Sequence, residues 1–255
     1  MGAREPAGPT GNTLACLGDV PRLRAHLPEM LRQARERDDR YCLVIARLGY
    51  NNMFWLASDQ PEEARRQAEE ALAGPFPGTF TWQLYQGALA LAQIELYRGD
   101  GTAGWNRMPA TWTTLRKRMM LRFQMPRVEM RYLWARCALQ RARIETGSER
   151  QRMLRFVARA ARRIHKEDAA WVAPFVDALS AGVLALQGRG EQAVQRLEDA
   201  ALGFEELGMA LHASAARYQA SSESRRELNA REEAWMRARG VANPERMANM
   251  LAPSL

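Results

Sequence analysis

Five turn-like segments recur along the chain at nearly equal spacing. They begin at Gly18, Asp59, Gly99, Gly147 and Gly188, so successive intervals are 41, 40, 48 and 41 residues. Each segment follows a stretch with helical apolar periodicity and precedes another such stretch. This is the pattern of a helix C-cap followed by a polar loop that starts the next helix. The spacing therefore predicts that the chain is divided into similar helical units.

A second set of breaks lies between these turns, near residues 39, 77, 122, 168 and 208. The chain thus alternates helices and turns with a period of about 40 residues, which is typical of helical repeats that bury their apolar faces by stacking. We predict an all-α fold, an α-solenoid of five tetratricopeptide-like hairpins in residues 13–239. A flexible arm (residues 1–12) precedes it, and a C-terminal capping helix with a tail (residues 240–255) follows it.

The composition favours the same fold. Strong helix formers (Ala, Leu, Arg, Glu, Gln and Met) fill most of the sequence, and runs of Val, Ile and Thr that would indicate strands are missing. No window approaches the roughly 18 consecutive apolar residues of a membrane span, and the N-terminus lacks the apolar core of a signal peptide. We therefore expect a cytoplasmic protein, in which Cys16, Cys42 and Cys137 are buried free thiols.

The tripeptide Arg98-Gly99-Asp100 is familiar from cell-adhesion ligands, yet it occupies the turn position of one predicted repeat. Gly99 is placed to cap the preceding helix, and Asp100 stands where the next helix begins. An adhesion role would also require export, which nothing in the sequence supports. We therefore interpret the tripeptide as part of the repeat framework.

The sequence contains no recognisable catalytic or metal-binding motif. His26, His165 and His212 fall in different repeats, and none has a Cys, an Asp or a second His at ligand spacing. Gly-rich pairs lack the strand and the following Lys-Ser or Lys-Thr of a phosphate loop, and no nucleophile elbow or kinase catalytic loop occurs. We expect a protein without a catalytic site, a metal site or a cofactor.

Positive charge is concentrated in one segment. Residues 111–166 hold sixteen Lys or Arg against three acidic residues, whereas the rest of the chain holds 21 basic and 26 acidic residues. One interpretation is a solvated helix face that interacts with the acidic neighbouring repeats. The other is a binding surface, because clustered Arg offers forked donors to carboxylate or phosphate.

Helical periodicity separates the buried and exposed sides of this segment. Met153, Val157, Ala160 and Ile164 form an apolar stripe, and arginines recur on the opposite side. We predict that an acidic protein or peptide binds a set of eight arginines, in a groove lined by the first helices of the hairpins. A nucleic-acid-binding adaptor is the alternative, made less favourable because the aromatic residues fall on the predicted core face. The predicted partner-binding residues are Arg118, Arg122, Arg127, Arg131, Arg152, Arg155, Arg159 and Arg163.

One family resemblance covers most of the chain, from about Leu14 to Leu255. The final segment EEAWMRARGVANPERMANMLAPSL (residues 232–255) resembles the end of a group of bacterial eukaryotic-like serine/threonine protein kinases, in which a kinase domain precedes a long tetratricopeptide-like region. Four further segments resemble that region in the same order: ARERDDRY, LYRGD with Trp105 shortly after it, LRFQMPRVEMRYLWAR and FEELGMALHASAARY. The kinase domain is absent from this chain, so the resemblance implies a sensory or scaffolding region and no phosphotransfer.

Overall fold

The protein is built from α-helices, as the sequence predicts. The computed structural model describes residues 14, 17–74, 81–220 and 226–252, and no β-strand occurs in these ranges. The predicted arm, Cys16 and the last three residues of the tail lie outside them. Thirteen α-helices are described: α1 Val20–Glu36, α2 Arg40–Ile45, α3 Met53–Ala57, α4 Pro61–Ala73, α5 Thr81–Tyr97, α6 Gly101–Lys117, α7 Gln124–Ile144, α8 Gly147–His165, α9 Ala173–Leu186, α10 Gly190–Glu206, α11 Ala210–Ala220, α12 Arg226–Ala238 and α13 Pro244–Leu251.

The predicted breaks coincide with helix boundaries. At all five turn starts the backbone φ is positive, with values of 75° at Gly18, 54° at Asp59, 77° at Gly99, 53° at Gly147 and 77° at Gly188. Four of the five intermediate breaks fall between described helices, and the fifth, near residue 77, lies outside the described residues. At four of these starts the next residue donates its N–H to the carbonyl five residues earlier, as in a left-handed helix cap. Gly147 is instead the first residue of α8 and follows the extended Glu145 and Thr146, so the helix C-cap predicted there is wrong.

The Arg98-Gly99-Asp100 tripeptide is such a helix boundary. The backbone N–H groups of Gly99 and Asp100 donate to Leu96 O at 3.1 Å and to Glu95 O at 2.8 Å, which closes α5. The Asp100 carboxylate then accepts a hydrogen bond from Ala103 N at 2.9 Å and caps α6. The predicted capping role of Gly99 is confirmed, and the structure adds the cap by Asp100.

Consecutive helices pack as pairs: α4 with α5, α6 with α7, α8 with α9 and α10 with α11. The second helices of neighbouring pairs also touch one another. Helix α5 contacts α7, and α7 contacts α9. Both α5 and α7 are buried on most of their circumference, which is the property of a helix enclosed by others. Helix α13 packs against two second helices, α5 and α11. The open groove lined by first helices stays a prediction.

Helix α13 is held by side chains of α7. Tyr132 Oη donates to Leu251 O at 3.0 Å, and Arg136 Nη1 donates to Met250 O at 2.8 Å. Gln140 Nε2 donates to Leu96 O at 2.8 Å and to Asn249 O at 3.2 Å, so it joins α5 to α13. These donors satisfy carbonyls at the end of α13 that have no partner within the helix. The predicted C-terminal helix therefore buries one face against its neighbours, with Met247, Met250 and Leu251 at most 1% exposed.

Two glycines at the same position of different pairs have different surroundings. Gly101 begins α6, and a Cβ atom there would lie 2.5 Å from Gln140 Cβ and 2.8 Å from Cys137 O in α7. Gly190 begins α10, and a Cβ atom there would meet nothing within 4 Å. The close approach of α6 to α7 therefore depends on the absence of a side chain at residue 101.

Candidate partner-binding site on the basic face

Helix α8 presents its arginines as the sequence predicts. Its apolar stripe, Met153, Val157, Ala160 and Ile164, is buried. Arg155, Arg159 and Arg163 are exposed on the other side, and no described carboxylate forms a salt bridge with them. Arg152 is also exposed and pairs with Glu149 on its own helix at 3.3 Å. Three predicted arginines thus remain available to a partner on this helix.

Arg127 and Arg131 already share an internal partner. Both form salt bridges with Glu167, whose side chain is only 10% exposed. Arg127 Nη1 also donates to Leu121 O and Arg122 O, at 3.0 and 2.9 Å. Hydrogen bonding from Arg127, followed by the charges of both arginines, holds the pKa of the Glu167 carboxyl below its usual range. These contacts tie the connection after α8 to α7.

Arg118 and Arg122 are exposed in the connection between α6 and α7. Arg118 is the C-cap residue of α6, and Arg122 ends a 3-10 turn at Met120–Arg122. Neither residue lines the aromatic pocket beside α8, so the eight predicted arginines do not form one continuous site.

An aromatic pocket opens beside the arginines of α8. Its volume is about 320 Å³, and it joins side chains of α6, α7 and α8. The Trp134 ring lies 4.9 Å from Phe156 and 5.9 Å from Trp112, measured between ring centroids. The Arg131 guanidinium lies 5.6 Å from the centroid of the Trp112 ring. The pocket is lined by Trp112, Arg131, Trp134, Phe156, Arg159, Ala160 and Arg163.

The aromatic rings were expected on the core face, and the structure corrects this in part. Trp112 and Trp134 do pack against the core, but they are only half-buried and their remaining surface lines the pocket. The spacing of aromatic and arginine residues along the helices could have shown that they lie side by side. Arg131 and Trp134 are three residues apart, as are Phe156 and Arg159, so each pair shares a helix face.

The pocket combines features suited to a flat, negatively charged group. The rings supply an apolar wall, and Arg159 and Arg163 supply positive charge without a carboxylate neighbour among the described residues. Trp134 Nε1 is buried without a hydrogen-bond acceptor. Such a site can hold one aromatic or similar group adjacent to carboxylates or a phosphate.

The other candidate reactive groups do not come together. In the ranges that the structure covers, no three His, Cys, Asp or Glu side chains form a group that could hold a metal ion. Cys137 is a buried free thiol, as predicted, and burial raises its pKa to about 12. Cys42 is free but only half-buried.

Comparisons with other proteins add no functional information. No protein-family profile, curated protein or solved structure matches the chain. None of the described helices has the length and apolar character needed to cross a membrane.

Proposed function

We propose that the chain is a non-catalytic protein–protein interaction module that binds an acidic segment of a partner protein. The observation that carries this proposal is the pocket between Trp112, Trp134 and Phe156. Arg159 and Arg163 flank it, and neither forms a salt bridge with a carboxylate of the described residues. We propose that an aromatic side chain of the partner enters the pocket and that neighbouring acidic groups pair with these arginines.

We further propose that the helical pairs form a tetratricopeptide-like solenoid of the kind found in the regulatory regions of bacterial serine/threonine kinases. The regular turns and the contacts between successive helices support this arrangement. The family assignment rests on the resemblance of the sequence segments given above. The proposed binding surface lies on α6, α7 and α8, whose side chains line the aromatic pocket.

Nucleic-acid binding is the second candidate, and the aromatic rings beside the arginines favour it. Proteins that bind single strands stack bases on aromatic side chains along a basic groove. Here, however, the three rings are half-buried and surround one pocket of about 320 Å³. One inserted group fits this geometry better than a row of stacked bases, so we favour a protein partner.

Charge reversal at Arg159 and Arg163 tests the proposal. The probe is a labelled peptide with one tyrosine between glutamates, and its affinity is measured by fluorescence anisotropy. We expect Arg159→Glu with Arg163→Glu to weaken binding by more than about a hundredfold, since each lost charge-assisted contact contributes about 1.5–3 kcal/mol. Binding that is unchanged by the double reversal would contradict the proposed site.

Two controls separate the site from general charge effects. Arg35→Glu with Arg231→Glu alters the net charge equally, at exposed residues of α1 and α12, and should leave the affinity within about twofold. A peptide with glutamine in place of glutamate should bind weakly. A salt titration with a single-stranded oligonucleotide tests the second candidate, because nucleic-acid binding that uses many phosphate contacts falls steeply with salt.

A further inference from the structure

A separate cavity of about 390 Å³ lies among the second helices. Side chains of α5, α7, α9 and α11 line it, together with residues of the connections, and most of its wall is apolar. Leu17 and Met125 are 37% and 49% exposed and belong to the same lining, so they mark a route to the surface. The volume falls within the range of about 300–1,000 Å³ that is typical of small-molecule sites.

The cavity contains a buried cation that has no anionic partner within the described residues. Arg136 is 4% exposed and donates to Met250 O at 2.8 Å. Among the described residues, no carboxylate lies within 4.0 Å of its guanidinium, and its Nε has no acceptor. A buried charge is costly unless it is paired and hydrogen-bonded. The arrangement therefore favours an anion supplied from outside the chain.

Two buried side-chain oxygens of residues that line the cavity lack hydrogen-bond donors. Glu129 Oε1 accepts from Tyr50 Oη at 3.0 Å, while Glu129 Oε2 has no donor. Gln93 is 1% exposed, and its Oε1 also has no donor. Burial raises the pKa of the Glu129 carboxyl to about 7, although the hydrogen bond from Tyr50 and the charge of Arg136 act to lower it. A donor beside Glu129, above all a cation, would satisfy these oxygens.

The third polar group is His212, which burial and the charge of Arg136 keep neutral, with a pKa of about 3. Its Nδ1 has no partner. Trp171 and Phe175 supply aromatic walls of the same cavity. Buried polar atoms without partners are rare in native proteins and call for an explanation, and here four of them belong to residues that line one cavity.

We infer that this cavity binds a free α-amino acid with a large apolar side chain. The ligand carboxylate pairs with Arg136, the ligand ammonium donates to Glu129 and Gln93 after small side-chain rotations, and the apolar body lies against Trp171 and Phe175. A fatty acid would leave Glu129 and Gln93 without donors, and an amine would leave Arg136 unpaired. A molecule with both charges meets both needs.

Three molecules with the same ring test the inference. L-phenylalanine carries both charges, 3-phenylpropionate carries only the carboxylate, and 2-phenylethylamine carries only the ammonium. Isothermal titration calorimetry on the whole chain should show that L-phenylalanine binds at least tenfold more tightly than either analogue. Equal binding of an analogue would overturn the inference. So would the absence of binding by L-phenylalanine, L-leucine and L-tryptophan at about millimolar concentration.

The variant Glu129→Gln locates the site while keeping the shape of the side chain. It should weaken L-phenylalanine binding at least tenfold and leave the weak binding of 3-phenylpropionate unchanged. Arg136→Gln should weaken both ligands, and circular dichroism is needed to show that it folds, because Arg136 also holds α13. An unchanged affinity of Glu129→Gln for L-phenylalanine would overturn the assignment of the cavity, whatever Arg136→Gln does.

The charge-reversed variant at Arg159 and Arg163 serves as the matched control. Those residues do not line this cavity, so their reversal should leave L-phenylalanine binding unchanged. The two proposals can therefore fail separately. Loss of peptide binding with retained amino-acid binding affects only the proposed function, and the reverse result affects only this inference.

Discussion

Removing residues 243–255 is expected to abolish the cooperative unfolding transition of the protein. The deletion takes away α13, whose Met247, Met250 and Leu251 side chains are almost completely buried. Truncation of one such side chain to alanine costs about 2–5 kcal/mol. The combined cost of losing all three side chains is comparable with the roughly 5–15 kcal/mol that stabilises a typical domain. Urea unfolding followed by circular dichroism, with dye binding to report exposed apolar surface, measures the effect.

Single substitutions within α13 provide the control for this deletion. Met250→Ala and Leu251→Ala should each lower the unfolding midpoint, whereas Glu245→Ala, at an exposed position of the same helix, should change it little. An unchanged midpoint and slope for the shortened chain would contradict the claim that the buried side chains of α13 stabilise the protein.

Replacing Gly101 by alanine is expected to lower the free energy of unfolding by about 3 kcal/mol, the upper part of the range for overpacking a tight contact. The new methyl group would lie 2.5 Å from Gln140 Cβ and 2.8 Å from Cys137 O, and a backbone oxygen cannot move without shifting α7. For a chain of this size each kcal/mol corresponds to about 2–4 °C in Tm, so thermal unfolding resolves the change.

Gly190→Ala is the matched variant, since both glycines open the first helix of a pair. Nothing lies within 4 Å of the added atom at Gly190, and alanine favours a helix more than glycine does. We expect no loss of stability there, or a gain of about 0.5 kcal/mol. Equal destabilisation by the two substitutions would show that the contact between α6 and α7 is not the cause.

The turns could be predicted from the sequence because their signal is local. Glycine accepts a positive φ without steric cost, and the five predicted turn starts all adopt one. Asp59 does so without being glycine, and its carboxylate accepts hydrogen bonds from Tyr97 Oη at 2.9 Å and Arg246 Nη1 at 3.1 Å. Those partners are distant in sequence. The apolar periodicity around Asp59 therefore predicted the turn but not the hydrogen bonds that hold it.

The site could be predicted only in outline. The clustering of charge pointed to α8 and its exposed arginines. It could not show that Glu167, one residue beyond the basic segment 111–166, forms salt bridges with Arg127 and Arg131. The position of α13 was likewise beyond the sequence. Its amphipathic pattern identifies a buried face, whereas the helices that cover this face depend on contacts such as Tyr132 with Leu251, 119 residues apart.

The burial of one face of α13 also bears on how the chain is made. Ribosomes deliver a polypeptide from its first residue to its last, and helical repeats that contact only their neighbours can assemble as they emerge. Here Arg246 reaches back to Asp59 across 187 residues, and long-range contacts of this kind slow folding. The earlier helices therefore keep apolar surface uncovered until α13 has been synthesised.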